Sequence, residues 1–114
     1  WKYGLNEVKI GLTMPQYVIE MARQRLTPAE FSRAIVTGRI YTPEEAAAAG
    51  FIDTVVSSED FESACAAATA EMETLNVEAH AATKLRARAG TIAALRKAIE
   101  EEIEVHMPAG GQAS

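Results

Sequence analysis

Two five-residue stretches, TPAEF at 27–31 and TPEEA at 42–46, constrain this chain more than anything else in it. Each sets Thr at a helix N-cap, Pro at the first helical position and Glu three residues after the Thr. This is the capping box, in which the two side chains satisfy backbone donors left free at a helix start. Gly38 and Gly50 follow as stops, because Gly accepts the left-handed conformation that ends helices. Two short helices are therefore predicted, over 28–37 and 43–49. Ahead of them Pro15 opens a third, with Val18, Met21 and Ala22 on one face at helical spacing.

The segment FIDTVVS at 51–57 is β-branched, short and preceded by a Gly stop, so it reads as a strand. A lone strand leaves its edges unpaired, and only residues 5–12 offer a plausible partner. From Ser58 the pattern turns helical, with Phe61, Ala64, Cys65, Ala68, Met72 and Leu75 on one stripe. Asn76 caps a further helix expected to run to about Ala89. After Gly90, Ile92, Leu95, Ile99 and Ile103 form another stripe beside Glu100, Glu101, Glu102 and Glu104. These stripes exceed what one small core can cover and are expected to pack on a partner subunit or on further chain. The end, MPAGGQAS, has linker composition and is expected to be disordered. The divisions are then 1–57, 58–106 and a tail, 107–114.

A chain of 114 residues, 48% apolar, supports one small core. It opens on Trp1 and runs at once into a patterned segment, which suggests a piece of a longer polypeptide. A net charge of −5 argues against nucleic acid as a partner. No Lys or Arg falls between Arg39 and Lys84, a stretch holding nine acidic side chains; then Lys84, Arg86, Arg88, Arg96 and Lys97 cluster. Two readings stay open: helix-surface pairing with the acidic segment, or a small anionic ligand such as a phosphate. Cys65 stands alone, so no disulfide can form within the chain, and in SACAAAT it reads as a small apolar filler. No apolar run approaches the ~18 residues of a membrane span. A soluble, cytoplasmic protein is the expectation.

Catalytic hardware is scarce. His80 and His106 lie in no metal-ligand spacing, and G-x-S-x-G, G-x-x-x-x-G-K and dinucleotide fingerprints are absent. There remains YGLNEVKIGLTMP, residues 3–15. If its middle is a strand, Val8, Ile10 and Leu12 face one way and Glu7 with Lys9 the other, which makes Glu7 a surface carboxylate.

This segment, with AIVTGRIYTPEEAAAAGFIDTVV at 34–56, resembles the second half of the crotonase superfamily, the enoyl-CoA hydratase/isomerase family. The shared order is an aromatic residue, three positions on the site of the family's P-E pair, here Asn6-Glu7, and then a glycine. A helix follows, then TG, a capping box, AGFID and acidic helices, covering about Tyr3 to the mid-nineties. The resemblance implies an α/β fold: a crotonase-like ββα spiral, of which this chain is the last turn plus a mainly helical C-terminal trimerisation region. It implies an acyl-CoA enzyme of fatty acid metabolism, a lyase or isomerase assembled as a trimer or hexamer. The missing N-terminal half would supply two backbone N–H groups that hold the enolate oxygen.

Glu7 stands at the glutamate that moves a proton at the acyl chain, giving hydration of a 2-enoyl-CoA with Glu7 as general acid/base. An enoyl-CoA delta isomerase using Glu7 alone, or a non-catalytic helical oligomerisation module, are the alternatives. Leu12, Met14 and Pro15 match positions that border the acyl pocket and are the expected substrate-binding residues. The thioester is a substrate, and no cofactor, metal or membrane partner is implied. Asn6 stands where proline is usual, and GLTMPQYV lacks the glycine-rich loop common in hydratases.

Overall fold

The capping boxes organise the molecule as expected. In the computed structural model, which describes residues 1–106 (103–106 by backbone alone), Thr27 Oγ1 accepts from the Glu30 N–H and Thr42 Oγ1 from the Glu45 N–H, both at 3.3 Å. They start α2, Pro28–Val36, and α3, Pro43–Ala49. Before them α1 spans Gln16–Arg25, with Pro15 as its N-cap. After them come α4, Phe61–Glu73, and α5, Val77–His106. Two short strands, β1 (Tyr3–Gly4) and β2 (Ile40–Tyr41), pair antiparallel in the register Tyr3↔Tyr41 and Gly4↔Ile40. The architecture is thus mostly helical with one two-stranded sheet.

The core lies where α1, α2, α3 and the sheet converge: Met14, Ala22, Leu26, Ala34, Ile35, Tyr41, Ala46 and Ala49 are buried. Half of these are alanines, whose small side chains let backbones approach closely. α5 packs along α1, burying Ala98. Its far end also caps α1: Pro15 has no side-chain acceptor to offer, and Glu102 Oε1 accepts the Gln16 N–H at 3.0 Å.

Four expectations are corrected. Residues 5–12 do not form a strand. Glu7–Ile10 is a single 3-10 turn, closed because the Glu7 carbonyl accepts the N–H of Gly11, in the left-handed region at φ 80°, and of Leu12. Residues 51–57 are likewise not a strand: the single sheet among the described residues is β1–β2, so these β-branched residues have no ladder to join, and Val55 and Val56 stay exposed. Gly90 does not stop a helix, since α5 runs through it; one glycine costs about 1 kcal/mol in a helix, which good helix formers on both sides offset. Cys65 is exposed rather than a filler, because α4 has no buried residue.

On α1 the expected face is only partly right, with Ala22 buried, Val18 half-buried and Met21 exposed. The 58–75 stripe is exposed as expected, with Phe61, Met72 and Leu75 all open to solvent. Asn76 does cap α5, its Oδ1 accepting the Ala79 N–H at 2.9 Å. The Lys84–Lys97 cluster does not pair with the acidic segment. Its ion pair among the described residues is Lys97–Glu101, one helical turn apart, while Asp53 and Glu45 pair with Arg25 and Arg39. The tail, 107–114, and the side chain of Ile103 lie outside what is described.

Candidate active site

Glu7 begins a turn that buries almost nothing of itself, and Val8, Ile10 and Leu12 are exposed around it. The turn replaces strand alternation by a period of about three, so apolar and acidic side chains no longer divide between two faces. Glu7 is half-buried. Its Oε2 is shut off from solvent and has no hydrogen-bond partner. Leaving a carboxylate oxygen buried and unpaired is costly, and it is the kind of group that a ligand or reacting proton completes. A surface carboxylate paired with Lys9 would look different, and no Glu7–Lys9 ion pair forms.

The expected substrate-binding residues part company. Leu12 sits beside the acid, its N–H donating to the Glu7 carbonyl at 2.9 Å, and its side chain is exposed. Met14 turns inward and joins the core. Pro15 is half-buried, and its carbonyl accepts the N–H groups of Val18 and Ile19 at the start of α1. Glu7 and Leu12 are therefore brought together, while Met14 belongs to the core and Pro15 to the start of α1.

Sequence reasoning missed what lies on the other side of the turn. Gly38, at φ 67°, is buried against it, and a β-carbon there would lie 3.1 Å from Lys9 Cγ and 3.3 Å from Val8 Cγ2. Next to Gly38 is a charged cluster. Arg39 Nη1 donates to Glu30 Oε2 at 3.1 Å and its Nη2 to Glu45 Oε2. The Tyr41 hydroxyl donates to Glu30 Oε2 at 2.6 Å, and the Arg39 guanidinium lies 4.6 Å over the Tyr41 ring. Arg33 completes the group through Glu30 Oε1.

The Tyr41 hydrogen bond, with the arginines behind it, holds the Glu30 carboxyl below its ordinary range, and Thr42 and Arg39 do the same for Glu45. Burial and then Glu30 push the Tyr41 phenol up to about 12. The sequence signal was present: both acids are capping-box glutamates, whose carboxylates remain free to bind cations after the cap has formed.

His80 meets Lys84 and Arg88 in an open groove of about 540 Å³ between the end of α4 and α5, floored by Met72 and Leu75. Among the described residues no three His, Cys, Asp or Glu side chains are grouped to hold a metal ion, and no helix is long and apolar enough to cross a membrane.

A glutamate on a tight turn thus lies against a TG turn that is followed by two strand residues and a capping-box helix. The enoyl-CoA hydratase/isomerase family profile matches residues 1–114, and the chain belongs to that family. Among solved structures it is similar to an enoyl-CoA hydratase/isomerase family protein from Pseudomonas syringae, at 43% identity and TM-score 0.87 over 94% of this chain and 46% of that one. It is also similar to an enoyl-CoA hydratase from Mycobacterium marinum, at 40% identity and TM-score 0.81 over 88% of this chain and 44% of that one. The human mitochondrial enoyl-CoA delta isomerase 1 is 28% identical over 92 residues, 81% of this chain and 30% of that protein. The chain thus spans less than half the length of these relatives.

Proposed function

We propose that the whole protein adds water reversibly to the double bond of a 2-enoyl-CoA, with Glu7 as the general acid/base. The observation that carries this reading is the Glu7 Oε2 atom, shielded and unpartnered at the family's glutamate position. Water adds at C3 while a proton reaches C2, and a carboxylate without a competing hydrogen bond is free to exchange that proton. Exposed Leu12 borders the acyl chain, and Met14 and Pro15 set the loop that carries it. The oxyanion donors come from the other half of the protein, so residues 1–57 complete a spiral core whose earlier turns lie there. Residues 58–106 form a helical region, and the exposed faces of α4 and α5 suit assembly as a trimer or pair of trimers.

A second reading has support of its own. Delta isomerisation needs a single carboxylate, which takes a proton from C2 of a 3-enoyl-CoA and returns it at C4. The human relative is named for that activity.

The test is the full-length protein and its Glu7→Gln variant, assayed on a short 2-enoyl-CoA for hydration and a 3-enoyl-CoA for isomerisation. General acid/base catalysis is worth roughly 10²- to 10⁴-fold, so the native activity should fall by that factor with acyl-CoA binding kept. Activity within about threefold of wild type would remove Glu7 from the chemistry.

A further inference from the structure

The turn carrying Glu7 contains no buried residue, so its position is borrowed from what it leans on. Two of its supports come from one short segment, 38–41. Upstream of the turn, β1 is held by pairing with β2. Under the turn itself, Gly38 leaves room for the side chains of Val8 and Lys9, which a β-carbon there would meet at 3.3 and 3.1 Å. The segment is in turn not held by its own ladder, which is only two residues long. Arg39 and Tyr41 tie it to the helices, Arg39 by bridging Glu30 of α2 and Glu45 of α3, and Tyr41 through Glu30.

We propose that Arg39, with Glu30, Tyr41 and Glu45, is a positioning device for Glu7, fixing the 38–41 segment against which the catalytic turn rests. This builds on the reading of Glu7 as the acid/base. The Arg39–Glu45 arm of the cluster is not well placed to act mainly through stability, since those two side chains are 37% and 42% exposed and exposed ion pairs contribute little. Its geometric effect is different in kind: a fork that grips two helices at once holds one backbone register, and a misplacement of ~1 Å in an acid/base can cost about 10²-fold in rate.

The test uses the full-length protein. Arg39→Met should lower kcat about 10- to 100-fold with KM within about twofold and the unfolding midpoint little changed. Arg39→Lys, which keeps the charge but cannot fork to both glutamates, should recover only part of the loss. The decisive measurement is the double variant. With Glu7 already changed to Gln, Arg39→Met should cost nothing further, because there is no longer a carboxylate to position.

If Glu7→Gln alone leaves activity intact, the acid/base reading falls and the positioning role with it. If Glu7→Gln is impaired but Arg39→Met keeps wild-type kcat, or costs the same factor in both backgrounds, the positioning role alone is refuted. Should Arg39→Met fail to fold, Tyr41→Phe keeps the buried ring and removes only the hydroxyl tie to Glu30. It should lower kcat about 3- to 10-fold, again only where Glu7 is present, and an unchanged kcat overturns the proposal.

Discussion

Gly50→Ala isolates how closely α1 and α3 are joined behind the site. Gly50 ends α3 at φ 107°, its N–H donating to the Ala46 carbonyl at 3.0 Å while its own carbonyl accepts Arg25 Nε at 3.0 Å. A β-carbon here would lie 2.2 Å from the Arg25 carbonyl oxygen and 3.3 Å from Leu26 Cα, all backbone, so no rotamer change relieves it. Two costs add. The left-handed conformation costs a residue with a β-carbon roughly 1–2 kcal/mol, and forcing the two helix ends apart costs about 1–3 kcal/mol, as overpacking does. The sum is about 2–5 kcal/mol, or a Tm lower by roughly 4–20 °C at ~2–4 °C per kcal/mol. Urea unfolding of the full-length protein, wild type against Gly50→Ala and Gly50→Asn, reads both parts. Asn tolerates the left-handed region but carries the same β-carbon, so it should recover only the conformational part. Equal stability of Gly50→Ala and wild type would refute the close approach, and full recovery by Gly50→Asn would refute the clash.

Other outcomes follow from the same geometry. Tyr41 keeps its proton to about pH 12 while tyrosine in the unfolded chain ionises near 10, so its contribution to stability is complete below pH 10 and lost as pH rises through 12; tyrosinate absorbance and alkaline unfolding should both show this. Glu30 and Glu45, held below 4.5, contribute stability above that pH which disappears as pH falls further, visible in acid unfolding curves. Gly90→Ala, inside α5 with open space around its α-carbon, should stabilise by about 0.5–1 kcal/mol in thermal unfolding. Glu102→Ala removes the acceptor at the start of α1 and should cost roughly 0.5–2 kcal/mol, measured the same way.

What the sequence made legible was whatever short-range chemistry decides. The Gly50 stop and the Asn76 cap are contained within a few residues and formed as read, and so did the threonine half of each box; the glutamate half at Thr27 did not, since the Thr27 N–H donates to the Ala49 carbonyl and the Glu30 carboxylate accepts from Arg33, Arg39 and Tyr41. The failures share a different cause. Residues 51–57 have strand chemistry, but a strand is a pairing, and no described residue pairs with them. Gly90 has the stop chemistry but sits within strong helix formers. Glu7 was read on a strand period because Val8, Ile10 and Leu12 alternate, whereas the left-handed Gly11 lets the Glu7 carbonyl close a turn instead. The Arg39 cluster was illegible for another reason: it joins α2, β2 and α3 through side chains whose local roles already explained them.

The composition of the core bears on assembly. Among the described residues, five of the nine buried apolar ones are alanines, which contribute little by burial, while Trp1, Phe61, Met72, Leu85 and Ile99 are exposed. At about 25 cal/mol per Å² of apolar surface, covering the faces that carry these side chains would add hydrophobic stabilisation that this chain alone leaves unused. Those faces are not equivalent. Leu95 is half-buried within the chain, whereas Leu85, earlier in the same helix, is 64% exposed. A charge at Leu95 should therefore loosen the protomer itself, and a charge at Leu85 should disturb only what covers it. In the full-length protein, Leu85→Asp is expected to shift sedimentation to smaller species with monomer unfolding unchanged. Leu95→Asp is expected to lower the unfolding free energy by roughly 2 kcal/mol, the cost of partly burying an unpaired charge. If Leu85→Asp sediments like wild type, α5 is not the assembly surface, and its exposed stripe serves another purpose.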